Sequence, residues 1–338
     1  MFIPKRVYFE PEALDYPLGQ ELKQRFSGMG IPIRLTGSHN RVTGIPGKTV
    51  AEGYREAKST LVVGVRRGKD FQSCKPSAHF QLPLATSCPG MCEYCYLATT
   101  LGKKPYLRIY VNIDEILARA AEYISQHMPD ITVFEGGATS DPVPVEPLTG
   151  SLRKAVEFFS SQPNGRFRFA TKFTDIGGLC KAEHNNHTRV RFSINTEEII
   201  RRYEHRTPSL KERIKAAQKL WECGYPIGFL VAPIFLEGEW RQEYGQLFAQ
   251  LRQEFSQLPK DLTFELITHR FTARAKNNLL ALFPNTSLPL NEKERQFKFG
   301  QFGYGKYVYE KNAMDELRRD MTGLVHQYFP EGKIDYLV

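Results

Sequence analysis

Three cysteines fall within eight residues, Cys88, Cys92 and Cys95, in the run Thr86-Ser87-Cys88-Pro89-Gly90-Met91-Cys92-Glu93-Tyr94-Cys95-Tyr96. The spacing Cys-x3-Cys-x2-Cys supplies three thiolates from one loop, and soft sulfur ligands select iron–sulfur clusters or zinc over hard cations. A cluster of four irons takes four ligands. With three from the protein, one iron is left open to a small molecule, and chemistry can take place there. A structural zinc site is the alternative, with Cys74 or His79 as fourth ligand, but such sites usually draw on two Cys-x2-Cys or Cys/His pairs, which this chain does not offer. Cys74, Cys180 and Cys223 are scattered and read as buried or neutral thiols in a reducing compartment, not as halves of disulfides.

The elements that must position the triplet come next. Short apolar and β-branched runs alternate with stretches of helical period between about residue 80 and residue 270. Strands are expected near Gln81–Thr86, Ile131–Glu135, Arg166–Lys172, Thr188–Asn195, Pro226–Ile234 and Leu262–Thr268. Helices are expected over Ile113–Gln126, Thr149–Ser161, Asp175–Ala182, Ser209–Cys223 and Trp240–Ser256. In the first of these, Ile113, Ile116, Leu117, Ala120, Ala121 and Ile124 form one apolar stripe. The pattern predicts an α/β fold, a partial (β/α)6 TIM-type barrel with an N-terminal extension and a C-terminal β-hairpin plus helix. Chemistry in such a fold sits at the carboxyl ends of the strands, and the cysteine loop directly follows the first one. The expected organisation is an N-terminal region 1–80 packed on the barrel, the barrel itself over 81–282, and a hairpin and helix over 283–338 that contact the substrate. A further strand is expected around Thr60–Val65, the hairpin around Gly303 and Gly305, and the last helix over Asn312–Tyr328.

With 41% hydrophobic and 12% aromatic residues the chain is globular. Lys and Arg number 46 against 37 Asp and Glu, a formal charge of +9, which favours a polyanionic partner such as nucleic acid without requiring one. The N-terminus lacks the apolar core of a signal peptide and no stretch approaches a spanning helix. A cytoplasmic monomer without a membrane partner is the expectation. His184, His187 and His205 lie in polar stretches and read as solvated.

The triplet at the end of a first barrel strand resembles the cluster motif of radical S-adenosylmethionine enzymes. Collinear blocks narrow the resemblance to the spore photoproduct lyase family, and they run the length of the chain. They include Tyr16–Gly19, Ser38–Asn40, Ala57–Val65, Lys75–Ala78, Cys95–Leu97, Thr99–Gly102, Lys104–Tyr106, Thr139–Asp141, Arg191–Asn195, Val231–Ile234, Thr263–Ile267, His269–Thr272 and Gly305–Tyr309. The resemblance implies a [4Fe-4S] cluster on Cys88, Cys92 and Cys95 and S-adenosyl-L-methionine against Ser140, Lys172, Ser193 and Ala232. It implies DNA containing a thymine dimer as the substrate, and an electron donor such as flavodoxin or ferredoxin. Tyr96 and Tyr94 match tyrosines that relay a hydrogen atom back to the cofactor.

Two positions depart from the family pattern. Ala138 stands where the family carries a cysteine whose thiol returns a hydrogen atom to the product thymine radical, and a methyl C–H bond is too strong to do so. Divergence toward another substrate, a different donor or an altered residue would each account for this, and the neighbouring Gly136-Gly137 favours divergence. Cys180 and Cys223 are the substitutes considered as donors. At the hairpin tip Gln301-Phe302 replaces an Arg-Tyr wedge: the phenylalanine can still stack on bases, the guanidinium is lost, and Lys298, Lys306 and Arg295 keep the region basic.

Overall fold

The computed structural model describes residues 2–68, 70–255, 257–299 and 305–338. It divides into two compact units, one comprising residues 1–90 and 101–189, the other 91–100 and 190–338, so the boundary runs through the cysteine loop between Gly90 and Met91.

The first unit holds two sheets. In one, the strands Ile33–Leu35, Arg6–Phe9, Thr60–Gly64 and Leu107–Tyr110 lie side by side and parallel, and Ala85–Thr86 joins the last of them antiparallel. Their inward side chains, among them Val7, Phe9, Leu61, Val63, Leu107 and Ile109, form a core closed by Leu22 and Phe26 of the helix Pro17–Gly28. Burial of such apolar side chains is the main stabilising term, about 25 cal/mol per Å². The other sheet runs Gly165–Thr171, Thr132–Glu135, Ala78–Gln81, all parallel, with Ser73–Cys74 antiparallel at its edge. The helix Ile113–Gln126 matches its expected bounds, with Ile113, Ile116, Leu117, Ala120 and Ile124 buried.

In the second unit the strands Thr188–Ile194, Ile227–Ile234, Thr263–Thr268 and Lys333–Leu337 pair in that order, all parallel. Helices Leu210–Glu222 and Trp240–Glu254 connect them in chain order. The hairpin Gln296–Phe299 with Gly305–Val308 and the helix Lys311–Tyr328 follow. Among the described residues no helix is long and apolar enough to cross a membrane.

Three expectations change. The strand placed at Gln81–Thr86 is two pieces, Ala78–Gln81 and Ala85–Thr86, because Pro83 between them has no N–H to give a ladder. The helix at Asp175–Ala182 shrinks to one 3-10 turn, Leu179–Lys181, after Gly177-Gly178, which favours no helix. The strand Lys333–Leu337 was not foreseen. Five residues that follow the turn at Pro330-Glu331-Gly332 acquire their structure by pairing with Thr263–Thr268.

Candidate functional site

In the first unit the chain enters the cysteine loop through Ser87, a non-glycine residue at φ 67°, a conformation that costs about 1 kcal/mol or more and persists only where neighbours fix it. Here its N–H donates to Thr139 O (2.8 Å), its hydroxyl donates to Pro105 O (2.8 Å), and it bridges Ser140 in parallel register. Lys58, fully buried, caps the helix Val50–Ala57 and donates from Nζ to Cys88 O (2.9 Å) and Ser87 Oγ (3.4 Å). A buried ammonium at this point favours negative charge on the loop, which a thiolate-bound cluster brings.

The loop after Thr132–Glu135 carries Ala138, Ser140 and Asp141. Packing leaves no room for a side chain at Gly136, where a Cβ would lie 2.6 Å from Phe167 Cζ, and little at Gly137, where one would lie 3.1 Å from the Ala170 backbone. Asp141, buried, accepts from Thr171 Oγ1 (2.8 Å), Lys172 N (2.9 Å) and Val143 N (3.2 Å). It thereby brings Ser140 and Lys172 to adjacent strand ends. Burial pushes its carboxyl up to about 6, against the pull of these hydrogen bonds. Ser140 Oγ is buried and has no hydrogen-bond partner among the described residues. A buried hydroxyl left this way calls for a ligand group.

In the second unit Met91–Cys92 pairs antiparallel with Glu204–His205, Cys92 opposite Glu204. Glu204 and Arg213 form an ion pair at 2.6 Å with neither side chain exposed. Tyr94 donates its hydroxyl to Glu204, and burial first, then Glu204, holds that phenol well above its ordinary value. Tyr94 is thus committed to anchoring the loop, whereas Tyr96 is 57% exposed. His205, expected to be solvated, pairs with Glu93 at 2.7 Å. Arg213 also donates to Ser193 O (3.0 Å), and Asn195 Nδ2 donates to Pro233 O (2.7 Å). Ser193 and Ala232 therefore sit at the same end of neighbouring strands.

In the hairpin Lys298 lies directly opposite Lys306, whose ammonium is pulled down by burial and then by Arg270 and Lys298. Phe299 is 78% exposed. Arg295 does not add to the surface charge: its guanidinium is buried against Glu237 (2.9 Å) and lies 3.5 Å from the Tyr309 ring centroid. Gln301 and Phe302 lie outside the described residues. Cys180 and Cys223 are disulfide-bonded, contrary to the expectation of thiols, while Cys74, Cys88, Cys92 and Cys95 are not.

The family model for spore photoproduct lyase matches residues 2–338. A spore photoproduct lyase from Clostridium acetobutylicum is 52% identical over 334 residues, 99% of this chain and 98% of that one, and one from Bacillus subtilis is 48% identical over 336. Among solved structures, a spore photoproduct lyase double variant, with one cysteine changed to alanine and one serine to cysteine, holds AdoMet and the dinucleoside spore photoproduct. It matches with a TM-score of 0.98 at 50% identity, covering 100% of this chain and 99% of that one. A tyrosine-to-phenylalanine variant matches with a TM-score of 0.97. With the partial barrel of these structures and their sequence over its whole length, the chain belongs to the spore photoproduct lyase family of radical S-adenosylmethionine lyases.

Proposed function

We propose that this protein repairs the spore photoproduct, 5-thyminyl-5,6-dihydrothymine, in DNA. What carries the reading is the full-length match to structures that hold the dinucleoside lesion, one of them together with AdoMet, joined to a buried Ser140 hydroxyl that has no hydrogen-bond partner among the described residues. Cys88, Cys92 and Cys95 would hold a [4Fe-4S] cluster. Such a cluster, once reduced, would supply with S-adenosylmethionine the radical chemistry that takes a hydrogen atom from the dimer.

The chain's own residues bind and orient. Ser140, Lys172, Ser193 and Ala232 line the S-adenosylmethionine site at strand ends, and Lys58 steadies the start of the cysteine loop. Tyr96, with its accessible phenol, relays hydrogen, and Tyr94 holds the loop through Glu204. The 283–338 segment contacts DNA: Lys298 facing Lys306 is a like-charge pair that a phosphate would relieve, and Gln301 and Phe302 are assigned to the substrate contact from the sequence alone. Ala138 occupies the position of the family's hydrogen-donating cysteine. A flavodoxin or ferredoxin donates the electron, and the enzyme works as a cytoplasmic monomer.

The test is incubation of the anaerobically reconstituted protein with reductant, S-adenosylmethionine and the dinucleoside spore photoproduct. Formation of 5′-deoxyadenosine with consumption of the lesion is expected. Intact lesion with no 5′-deoxyadenosine above the substrate-free background contradicts the proposal.

A further inference from the structure

A cluster of this kind must receive an electron from outside before it can act, and the first compact unit carries a basic surface beside the cysteine loop. Residues 38–48 and 101–108 contain Arg41, Lys48, Lys103, Lys104 and Arg108 and no Asp or Glu. Both segments lie within that unit.

Hydrogen bonds from every second residue of one segment stitch it to the other. Lys104 Nζ donates to Ile45 O (2.5 Å), and Arg108 Nη1 donates to Asn40 Oδ1 (2.6 Å). Between them the Tyr106 hydroxyl donates to His39 O (3.0 Å) and accepts from Val42 N (3.4 Å). The Lys104 stem lies along the helix Val50–Ala57, where a Cβ on Gly53 would come within 3.2 Å of its Cε. Arg41, Lys48 and Lys103 are exposed, and among the described residues none of the five cations has a carboxylate partner. Glu52, the acid that follows Lys48, accepts instead from the main-chain N–H groups of Lys48 and Thr49.

Two short routes lead from this surface to Cys88. Pro105, between Lys104 and Tyr106, accepts the Ser87 hydroxyl (2.8 Å). Lys48 precedes the helix whose cap, Lys58, donates to Cys88 O (2.9 Å). Electron transfer weakens steeply with distance, so a redox protein seated on the five cations brings its own electron close to the group that must be reduced. Unpaired cations on both segments attract a partner of opposite charge and raise its encounter rate.

We propose that residues 38–48 and 101–108 form the docking surface for a small acidic one-electron carrier protein. The proposal rests on the lyase reading above and names the place where the electron enters. The tie to the cysteine loop favours a carrier over nucleic acid, because phosphate binding gains nothing from lying next to Cys88. The carrier loses one electron and the cluster gains it. No covalent bond is made or broken in that step, and no other reactant is consumed.

The experiment measures 5′-deoxyadenosine formed with the dinucleoside lesion by three reconstituted proteins: the parent, Arg41→Glu with Lys103→Glu, and Lys215→Glu with Arg318→Glu, which makes the same change of charge elsewhere. Each is driven in parallel by dithionite, by reduced flavodoxin and by reduced ferredoxin. The first pair should raise the KM for the carrier at least about tenfold, while the second pair leaves it unchanged and all three proteins work equally with dithionite. Added salt should weaken the parent's use of the carrier but not of dithionite. Carbodiimide should join carrier carboxylates to Lys48, Lys103 or Lys104, read by mass spectrometry of the cross-linked peptides. An unchanged KM in the first pair, an equal rise in the second, or a loss that dithionite shares overturns the assignment. So does a parent that works with dithionite but with neither carrier. Weaker binding of a lesion-bearing duplex by the first pair, with the carrier KM unmoved, would make the surface a DNA contact and overturn it too. If the parent forms no 5′-deoxyadenosine even with dithionite, the lyase reading fails and the assignment falls with it.

Discussion

The cysteine loop is held differently at its two ends. At Cys88 the restraint is a buried ammonium, Lys58, hydrogen-bonded to a main-chain carbonyl and a hydroxyl, with Ser87 held in a left-handed conformation by neutral contacts. At Cys92 and Tyr94 it is a carboxylate shared between a buried guanidinium and a phenol, Glu204 with Arg213 and Tyr94. The first end depends on donors that satisfy backbone. The second depends on two charges, each of which is costly to leave in the interior without the other. Asp141 is also buried, but it is held by neutral donors, and burial raises its carboxyl to about 6.

The largest effect that would break this comparison is expected at Arg213. Arg213→Met leaves the Glu204 carboxylate without its cation and should cost about 3–5 kcal/mol in denaturant-unfolding stability. Adding Glu204→Gln should return much of that loss, and no recovery would show that the pair's charges are not what matters.

Lys58→Met is the corresponding change at the other end. With two hydrogen bonds lost and no charge left behind, about 1–3 kcal/mol is expected. Iron retention after gel filtration should fall further than stability does. Equal losses from the two substitutions would erase the distinction between the ends.

The contrast between Asp141 and Glu204 is sharpened by pH. Asp141 titrates at about 6 in the folded chain, above its ordinary 3.8, and Glu146 at about 7, above 4.5, both raised by burial. The folded state binds these protons more tightly, so the stability they confer is complete below their ordinary values and is lost as pH rises through 6 to 7. Asp141→Asn should flatten the fall in stability between about pH 4 and pH 6, by up to about 3 kcal/mol. An unchanged pH profile contradicts the assignment.

The smallest effect on stability belongs to Phe299→Ala in the hairpin, within about 0.5 kcal/mol. Repair of the free dinucleoside should be unchanged, whereas binding to a lesion-bearing duplex should weaken by about 1–3 kcal/mol through lost stacking, measured by fluorescence anisotropy.

How much of this was legible depended on whether the signal was local. The helix Ile113–Gln126 was readable because its apolar stripe lies within fourteen residues, and the triplet because one loop carries all three thiols. The strands Arg6–Phe9, Leu107–Tyr110 and Lys333–Leu337 are four or five residues long and take their identity from distant partners, so periodicity did not reveal them. The tie between the turn at Ser77 and the loop at Gly137 shows the same limit, because the Glu135 carboxylate that makes it joins segments far apart in sequence.

The central claim is that this loop presents a four-iron cluster with one iron open to S-adenosylmethionine. Electron paramagnetic resonance of the anaerobically reconstituted, dithionite-reduced protein tests it most directly. The account predicts about four irons per chain and a reduced-cluster signal that shifts when S-adenosylmethionine is added. A protein that holds no iron, or a signal that S-adenosylmethionine leaves unchanged, would contradict it.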